Sequence, residues 1–493
     1  MKLHYLLEKT NISNKNNLPD VEIEGISSRS GEIKKNFIFV CLKGTKNDGH
    51  RHIDEALNRG ACAVVIEDPK YRCDRSIEVK STRSALSNML DVFNGEPSKK
   101  LKFVGITGTN GKTSVSVMIN SILKEYGIPC ELIGTLNCSS FSDTVNGLQA
   151  NFTTPDPEEL YPMLRRMSDG GIELAVMEAS SHALKLKKLD PIEFEVGIFT
   201  NLTEDHLDFH HTMEDYFKAK LELFNKCRVG IINIDDEYGK KIAGLAKCKI
   251  RSCSMKSDAD FSLEDVKELS ESKTRYSLTH GANKTDLEIN IPGEFSIMNS
   301  MQAYACVLEL SIDDNTVKKS FTSFAGVRGR LERADVFKGK GISVFIDYAH
   351  TPDALSKLLK AAKSFKNENG RIILVFGCGG NRERQKRSKM GEIAVKGASF
   401  VIITNDNPRN EDPQVIIEDI LSGTRGYTNY TVISDRKKAI EKAIALARKD
   451  DIVLLAGKGH ENYEINSQGK IPFDEREVLR DIEKLQGGMN YED

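Results

Sequence analysis

Short apolar runs alternate with stretches of helical spacing along most of this chain. The runs at 103–106, 172–177, 194–199 and 229–232 read as buried strands. Residues 114–126 and 213–224 read as helices, and Gly127 and Pro129 stop the first. The rhythm breaks at 325–333. It restarts with strand patterns at 342–346, 372–376, 400–404 and 452–455 and helical patterns at 352–366, 386–397, 413–421 and 435–449. Strand and helix in regular succession predict parallel sheets wrapped by helices. Upstream, 36–41 and 61–66 read as strands, and Asn94-Gly95-Glu96-Pro97-Ser98-Lys99-Lys100 reads as a linker. The expectation is an α/β protein of three domains, at 1–97, 98–330 and 331–493.

Composition narrows the class. At 493 residues the chain exceeds one core. A hydrophobic content of 39%, a charged content of 29% and a net charge of −2 suit a soluble globular protein and exclude a nucleic-acid binder that relies on bulk positive charge. No apolar run is long enough to span a bilayer, and Met1 to Lys9 does not read as a signal peptide. Ten cysteines are scattered without a C-x-x-C pair, which excludes a zinc cage or a disulfide framework on spacing. Reduced thiols and a cytoplasmic location are expected.

The first chemistry-bearing segment is Gly105-Ile106-Thr107-Gly108-Thr109-Asn110-Gly111-Lys112-Thr113, between a strand pattern and a helix pattern. Glycines there let backbone N–H groups face an anion, and the helix N-terminus adds positive dipole. Lys112 can reach outer phosphates, and the Thr113 hydroxyl can hold Mg²⁺. Gly105 lies one residue too far from Gly111 for the standard G-x-x-x-x-G-K-[ST], so this is a variant phosphate loop. It makes the central domain a P-loop NTPase-like parallel sheet, followed by a Rossmann-like α/β C-terminal domain.

Other polar loops fall at the C-terminal ends of strand patterns, where α/β proteins bind ligands. Glu178-Ala179-Ser180-Ser181-His182 is either a second Mg²⁺ ligand beside Thr113 or a helix-capping cluster. The loop from Asn201 to His210 carries His206, His210 and several acids and reads as a Mg²⁺ site for nucleotide, its spacing being wrong for zinc. Lys220 falls on the apolar stripe of the next helix. There the pattern favours a snorkelling head group, and a buried neutral amine is the sharper alternative. In the last third, Asp347-Tyr348-Ala349-His350, Gly377-Cys378-Gly379-Gly380, Asp406-Asn407-Pro408-Arg409 and Gly457-Lys458-Gly459-His460-Glu461 predict one continuous site facing the phosphate loop. The basic cluster Arg382, Arg384, Lys386, Arg387 and Lys389 suits carboxylate or phosphate recognition.

Together these motifs resemble the Mur ligases, ATP-dependent amino-acid ligases of bacterial cell-wall precursor synthesis. The loop T-G-T-N-G-K-T is the family's form and accounts for the odd spacing. The motifs at 347–352, 377–380 and 457–461 resemble the branch that adds the third peptide residue, and Asp406-Asn407-Pro408-Arg409 resembles its meso-diaminopimelate-using version. The resemblance spans essentially the whole chain. It implies ATP and Mg²⁺ as cofactors, UDP-MurNAc-dipeptide and meso-diaminopimelate as partners, no nucleic acid, no membrane insertion and a monomer. It assigns the N-terminal domain to the UDP-substrate, the central one to ATP and the last to the amino acid.

Residue by residue, the resemblance implies catalytic roles for Lys112, Lys220, His206 and Glu178. It implies nucleotide contacts from Gly108, Thr109, Asn110, Gly111, Lys112, Thr113, Asn299 and Asp347. Thr113, Glu178, His206 and a carbamylated Lys220 would surround the metal. Ser28, Thr153, Thr154, Ser180 and Lys188 would hold the UDP-sugar peptide, and Arg382, Asp406, Asn407, Pro408, Arg409, Gly457 and Glu461 the diaminopimelate. The chain departs from the family at Leu186 and Lys188, where relatives carry Gln and Arg. It departs also at Ser27-Ser28-Arg29, for Asp-Ser-Arg, and at Arg328-Gly329-Arg330, for Pro-Gly-Arg. The implied reaction activates the D-glutamyl carboxylate as an acyl phosphate, which the incoming amine displaces. An L-lysine-adding homologue, a folylpolyglutamate synthetase-like ligase and a nucleotide-binding scaffold with a dead site are the alternatives.

Overall fold

The computed structural model describes residues 1–13, 18–44, 47–136 and 153–488, side chains being described through 485 and not at Lys338. Cys138 lies outside the described residues, and the other nine cysteines are free thiols.

Three sheets carry the molecule. The first has four parallel strands, Gly25–Ser27, Phe37–Val40, Ala63–Ile66 and Ser76–Glu78, paired in that order. Where the composition predicts a linker, helix Thr82–Phe93 gives way to Gly95 and Glu96, both at positive φ, and then a single turn, Pro97–Lys100. The reversal delivers the chain into the second sheet.

In the second sheet, strand Lys102–Thr107 lies between Leu174–Glu178 and Phe194–Phe199 and runs parallel to both. Cys130–Ile133 closes one edge. On the other side follow Cys227–Asn233 and Lys249–Ser254, also parallel. The parallel sheet expected from the sequence continues to Phe261–Leu269, which pairs parallel with Lys249–Ser254, and is extended from there. Phe261–Leu269, Thr274–His280 and Asn283–Ile289 add an antiparallel meander. Its core-facing residues, Tyr276, Leu278, Leu287 and Ile289, recur at every second position, the period of a strand buried on one face only.

Successive side chains of Lys102–Thr107 enter opposite cores. Phe103 packs with Met177, Phe194 and helix Pro157–Asp169, and that core continues into the N-terminal unit through Leu86, Leu6 and Ile38. Val104 and Ile106 pack against helices Lys112–Glu125 and Phe295–Glu309 on the other face. A strand buried on both faces reads as a continuous apolar run, which is why 103–106 is legible in the sequence.

The third sheet orders Glu332–Ala334, Ser343–Asp347, Ile452–Ala456, Ile372–Phe376, Phe400–Ile403 and Tyr430–Val432. All are parallel except the first. Helices Pro352–Phe365, Gln385–Gly397 and Pro413–Leu421 cover one face, and Arg436–Leu446 and Glu475–Gly488 the other. No helix among the described residues is long and apolar enough to cross a membrane.

Candidate active site

The phosphate loop leaves strand Lys102–Thr107 at its C-terminal end. Gly111 caps helix Lys112–Glu125 in the left-handed region, at φ 90°, which a side chain would resist. A Cβ there would also press on Asn299 Oδ1, 2.7 Å away. The neighbouring strand's loop fixes the approach. Thr109 N donates to Asn201 O at 2.8 Å and Asn110 N to Asn201 Oδ1 at 3.0 Å. Thr200 Oγ1 donates to Asn110 O at 2.6 Å. The N–H groups of the first helical turn have no intrahelical partner and form an anion seat. Lys112 Nζ folds back onto Gly108 O and Thr109 O, at 3.0 and 2.9 Å. Burial pulls its pKa down, against the opposing pull of Glu178 and Asp205.

Thr113 and Glu178 meet behind the loop. Thr113 Oγ1 donates to Glu178 Oε2 at 3.2 Å and accepts from Arg330 Nη2 at 3.2 Å. Glu178 is fully buried and also takes Thr135 N at 2.9 Å and Thr135 Oγ1 at 3.1 Å. The capping cluster is present as well: Ser180 Oγ caps helix Ser181–Lys185 by accepting from Ala183 N. The capping reading thus holds for Ser180, while Glu178 stands beside Thr113. Thr154 Oγ1 joins the same knot through Glu178 O at 2.7 Å and Ser180 Oγ at 3.0 Å, and Thr153 Oγ1 accepts from Thr135 Oγ1 at 3.4 Å.

Lys220 does not snorkel, which corrects the pattern-based expectation. It is 1% exposed, and its Nζ lies 4.5 Å from the centre of the Tyr216 ring. Burial, reinforced by Lys112, drives its pKa well below 10.5, and Asp205 opposes this. The short helix Met213–Leu221, capped by Thr212, turns this face inward, with Tyr216 and Phe217 in the core. His206 stands on the rim at φ 55°, edge-on to His182, with ring centres 5.0 Å apart. Burial by the cleft walls depresses its pKa to about 4, against the pull of Asp205. Burial pushes the Asp205 carboxyl up, but His206, His350 and Lys386 outweigh it and hold it below the usual range. His210 is buried and its Nε2 meets Ser181 Oγ at 2.8 Å, so it is a structural member of the cluster. Among the described residues no three His, Cys, Asp or Glu side chains converge as a metal-binding set.

The third sheet presents its strand-end loops to this loop cluster. Asp347 accepts from Leu331 N at 2.6 Å and Ala349 N at 2.7 Å, and burial raises its pKa. Arg330 stacks on Tyr348, 4.7 Å from the ring centre, while reaching Thr113. Further along, Gly457 lies so close against Asp406 Oδ2 that a side chain there would displace the carboxylate. Asn407 Nδ2 donates to Glu461 Oε2 at 2.8 Å. Arg409, at φ 55° after Pro408, spends Nη1 on Gly380 O at 2.9 Å and Asn407 O at 3.2 Å. Its Nε and Nη2 have no hydrogen-bond partner among the described residues. Burial and the neighbouring Arg382 guanidinium lower its pKa, and Asp406 and Glu461 counter them.

The basic cluster divides, which corrects its reading as one recognition surface. Arg387 is fully buried and forks onto Glu411 at 2.9 and 3.0 Å, with Asp419 at 2.9 Å. Arg384 pairs with Asp419 and Lys389 with Glu204. Arg382 stands beside Arg409, and Lys386 acts on Asp205 and His350. Glu411 in turn accepts from Asn381 N, so the Arg387 pair braces the glycine turn.

A cavity of about 120 Å³ lies between the first and second sheets, lined by Ser28, Arg29, Arg83, Glu158, Leu186 and Lys188 among others. Ser28 donates through N and Oγ to Glu158 Oε1, at 2.9 and 2.7 Å. Lys188 pairs with Asp156 at 2.5 Å. Leu186 and Lys188, two of the positions that depart from the family pattern, therefore line one cavity. Sequence reasoning did not find Asp353, which reaches the phosphate loop, or the contact of Arg330 with Thr113. Thr351-Pro352 signalled only a helix start.

A phosphate loop at a topological switch point, faced by a second parallel sheet with its own polar strand-end loops, defines a nucleotide-dependent α/β protein with a composite site. Three family models match in succession: the Mur ligase family catalytic domain at 22–94, the Mur ligase middle domain at 106–307 and the Mur ligase glutamate ligase domain at 329–459. The chain is 39% identical over 487 residues to UDP-N-acetylmuramoyl-L-alanyl-D-glutamate--2,6-diaminopimelate ligase of Clostridium tetani, covering 98% of this chain and 99% of the relative. It is 41% identical over 487 residues to the protein of that name from Clostridioides difficile, again covering 98% and 99%. A solved structure of a ligase of that name superposes with a TM-score of 0.69 at 29% identity, over 98% of this chain and 99% of the other. The chain belongs to the Mur ligase family.

Proposed function

We propose that this protein is an ATP-dependent ligase that joins meso-2,6-diaminopimelate to the D-glutamyl carboxylate of UDP-N-acetylmuramoyl-L-alanyl-D-glutamate. The observation that carries the reading is the charge layout of one pocket. The Arg409 guanidinium lies within electrostatic reach of Arg382 and of the carboxylates of Asp406 and Glu461. Opposite charges at one set of strand-end loops, with Asp406 and Glu461 buried, suit a zwitterionic amino-acid head. The full-length similarity to ligases named for diaminopimelate supports the same choice.

The chain's own groups divide the work. The first turn of helix Lys112–Glu125 and Lys112 hold the triphosphate, and Arg330 adds a fixed positive charge beside Thr113. Thr113 Oγ1 and the Glu178 carboxylate are hard oxygen donors in contact, a set that fits Mg²⁺, which keeps most of its shell as water and phosphate. Mg²⁺ supplies charge neutralisation on the phosphates when bound. A buried amine with a depressed pKa is the nucleophilic form that adds CO₂, and Lys220 meets that condition. His206 and Asp205 line the same cleft. The cavity at Ser28 and Lys188 takes the UDP-sugar peptide.

The test is phosphate release from ATP with UDP-MurNAc-dipeptide and a panel of amino acids. Release with meso-diaminopimelate and little with L-lysine is expected. Equal use of the two would overturn the substrate assignment, and no release with any amino acid would overturn the ligase reading.

A further inference from the structure

We propose that Lys458 is a positioning residue for the amino-acid substrate: its buried ammonium fixes the orientation of the Asn407 amide and, through it, the carboxylate of Glu461. The proposal rests on the reading of this pocket as the amino-acid site.

Lys458 is completely buried. A buried ammonium is tolerated only where its protons are taken up. Its Nζ donates to Asn407 Oδ1 at 3.1 Å and to Tyr463 O at 2.8 Å, and lies 3.8 Å from Glu461 Oε2. An asparagine amide has two nearly isosteric orientations, and only its partners distinguish them. Here two donors converge on one end. Lys458 Nζ and Ile465 N, the latter at 2.9 Å, both meet Asn407 Oδ1. The other end must then donate, and it does, to Glu461 Oε2 at 2.8 Å. Reversing the amide would set an NH₂ against an ammonium and a backbone N–H, and a carbonyl against a carboxylate. Each is a buried mismatch that leaves a polar group unsatisfied and facing its own kind.

Glu461 is thus held through one oxygen. Its second oxygen has no hydrogen-bond partner among the described residues and remains to accept an ammonium. The same lysine anchors the hairpin of Tyr463–Asn466 and Gly469–Pro472 through Tyr463 O. That hairpin offers Ile465 O to Arg409 N at 2.9 Å. One buried cation therefore sets the acidic and the basic side of the pocket in register. None of these contacts extends to the phosphate loop or to the cavity at Ser28.

The experiment uses the full-length enzyme carrying Lys458→Met, which keeps the stem and removes the three donors. The expected result is a rise of about 10-fold or more in KM for meso-diaminopimelate, with KM for ATP and for UDP-MurNAc-dipeptide within about two-fold of wild type. A second variant, Ile465→Pro, removes the other donor to Asn407 Oδ1. The N–H of Ile465 faces Asn407 and not the hairpin partner, so proline sacrifices no ladder bond there. A smaller rise in the same KM is expected. The proposal is overturned by an unchanged amino-acid KM in folded Lys458→Met, by equal rises in all three KM values, or by failure of both variants to fold. If wild-type enzyme rejects meso-diaminopimelate and takes another amino acid, the functional reading fails, and the Lys458 proposal is read on KM for that amino acid.

Discussion

Asn110, inside the phosphate loop, donates its side-chain amide to Asp353 Oδ2 at 2.7 Å across 243 positions of sequence. Asp353 sits in the first turn of helix Pro352–Phe365 and also takes Lys357 Nζ at 2.8 Å and Thr203 Oγ1 at 3.4 Å. The carboxylate thereby docks the third sheet's first helix on the loop that seats the triphosphate. Asp353→Ala is expected to lower kcat about 10-fold with the thermal midpoint little changed, because the composite site loses its register. Steady-state kinetics at saturating substrates would decide this, and wild-type kcat in the variant would count against the docking role.

Among the described residues Lys220 has no carboxylate within ion-pair distance, and it sits over Tyr216. If its amine is carbamylated, Lys220→Ala should nearly abolish ligation, by several orders of magnitude, and short carboxylates added to the assay should restore part of it. Mass spectrometry of the native enzyme under CO₂ provides an independent reading. Undiminished turnover in Lys220→Ala would dispose of the idea.

Arg409 keeps Nε and Nη2 uncommitted while Nη1 is pinned by two carbonyls. A pinned guanidinium is a selective reader of a distal carboxylate, because lysine would leave it unpaired. Rejection of this kind reaches roughly 10⁴-fold. Arg409→Ala should cost orders of magnitude in kcat/KM for meso-diaminopimelate while binding of the UDP-substrate, measured by calorimetry, persists. Loss of both together would place Arg409 in the fold and not in recognition.

His460 and His350 predict an acid limit to stability. Burial first, then Arg330, Arg476 and Arg328, holds His460 at a pKa of about 3. Burial and Lys386 hold His350 at about 4. An unfolded histidine titrates near 6.5, so between that value and about 3–4 the unfolded chain binds more protons than the folded one. Stability is therefore full above about pH 6.5 and falls as pH drops through that window. Thermal midpoints recorded from pH 7.5 to 4.5 should decline, and His460→Gln should flatten part of the slope. An unchanged slope in that variant would show that His460 is not a contributor.

The sequence alone determined the local features. Strands buried on both faces announce themselves as apolar runs, as at Ile372–Phe376 and Ile452–Ala456. The glycines at 108 and 111, followed by Lys112 and Thr113, announce a phosphate seat because the needed backbone geometry is encoded within a few residues. Most strand-end loops were legible for the same reason. The extension of the second sheet by antiparallel strands was not, because a half-buried strand such as Asn283–Ile289 mixes exposed and buried positions and gives no run.

Only the tertiary structure decided which polar groups are spent and which are left to act. Lys220 falls on an apolar stripe by helical spacing, where a lysine is expected to snorkel, and its burial against Tyr216 reverses that. Arg384, Arg387 and Arg382 are alike as letters, yet Glu411 and Asp419 consume the first two. Arg330 meets Thr113 across 217 positions, and Asn407 meets Glu461 across 54. Such contacts depend on how distant strands and separate sheets come to rest against one another and on the low dielectric between them, quantities that no local pattern of residues carries.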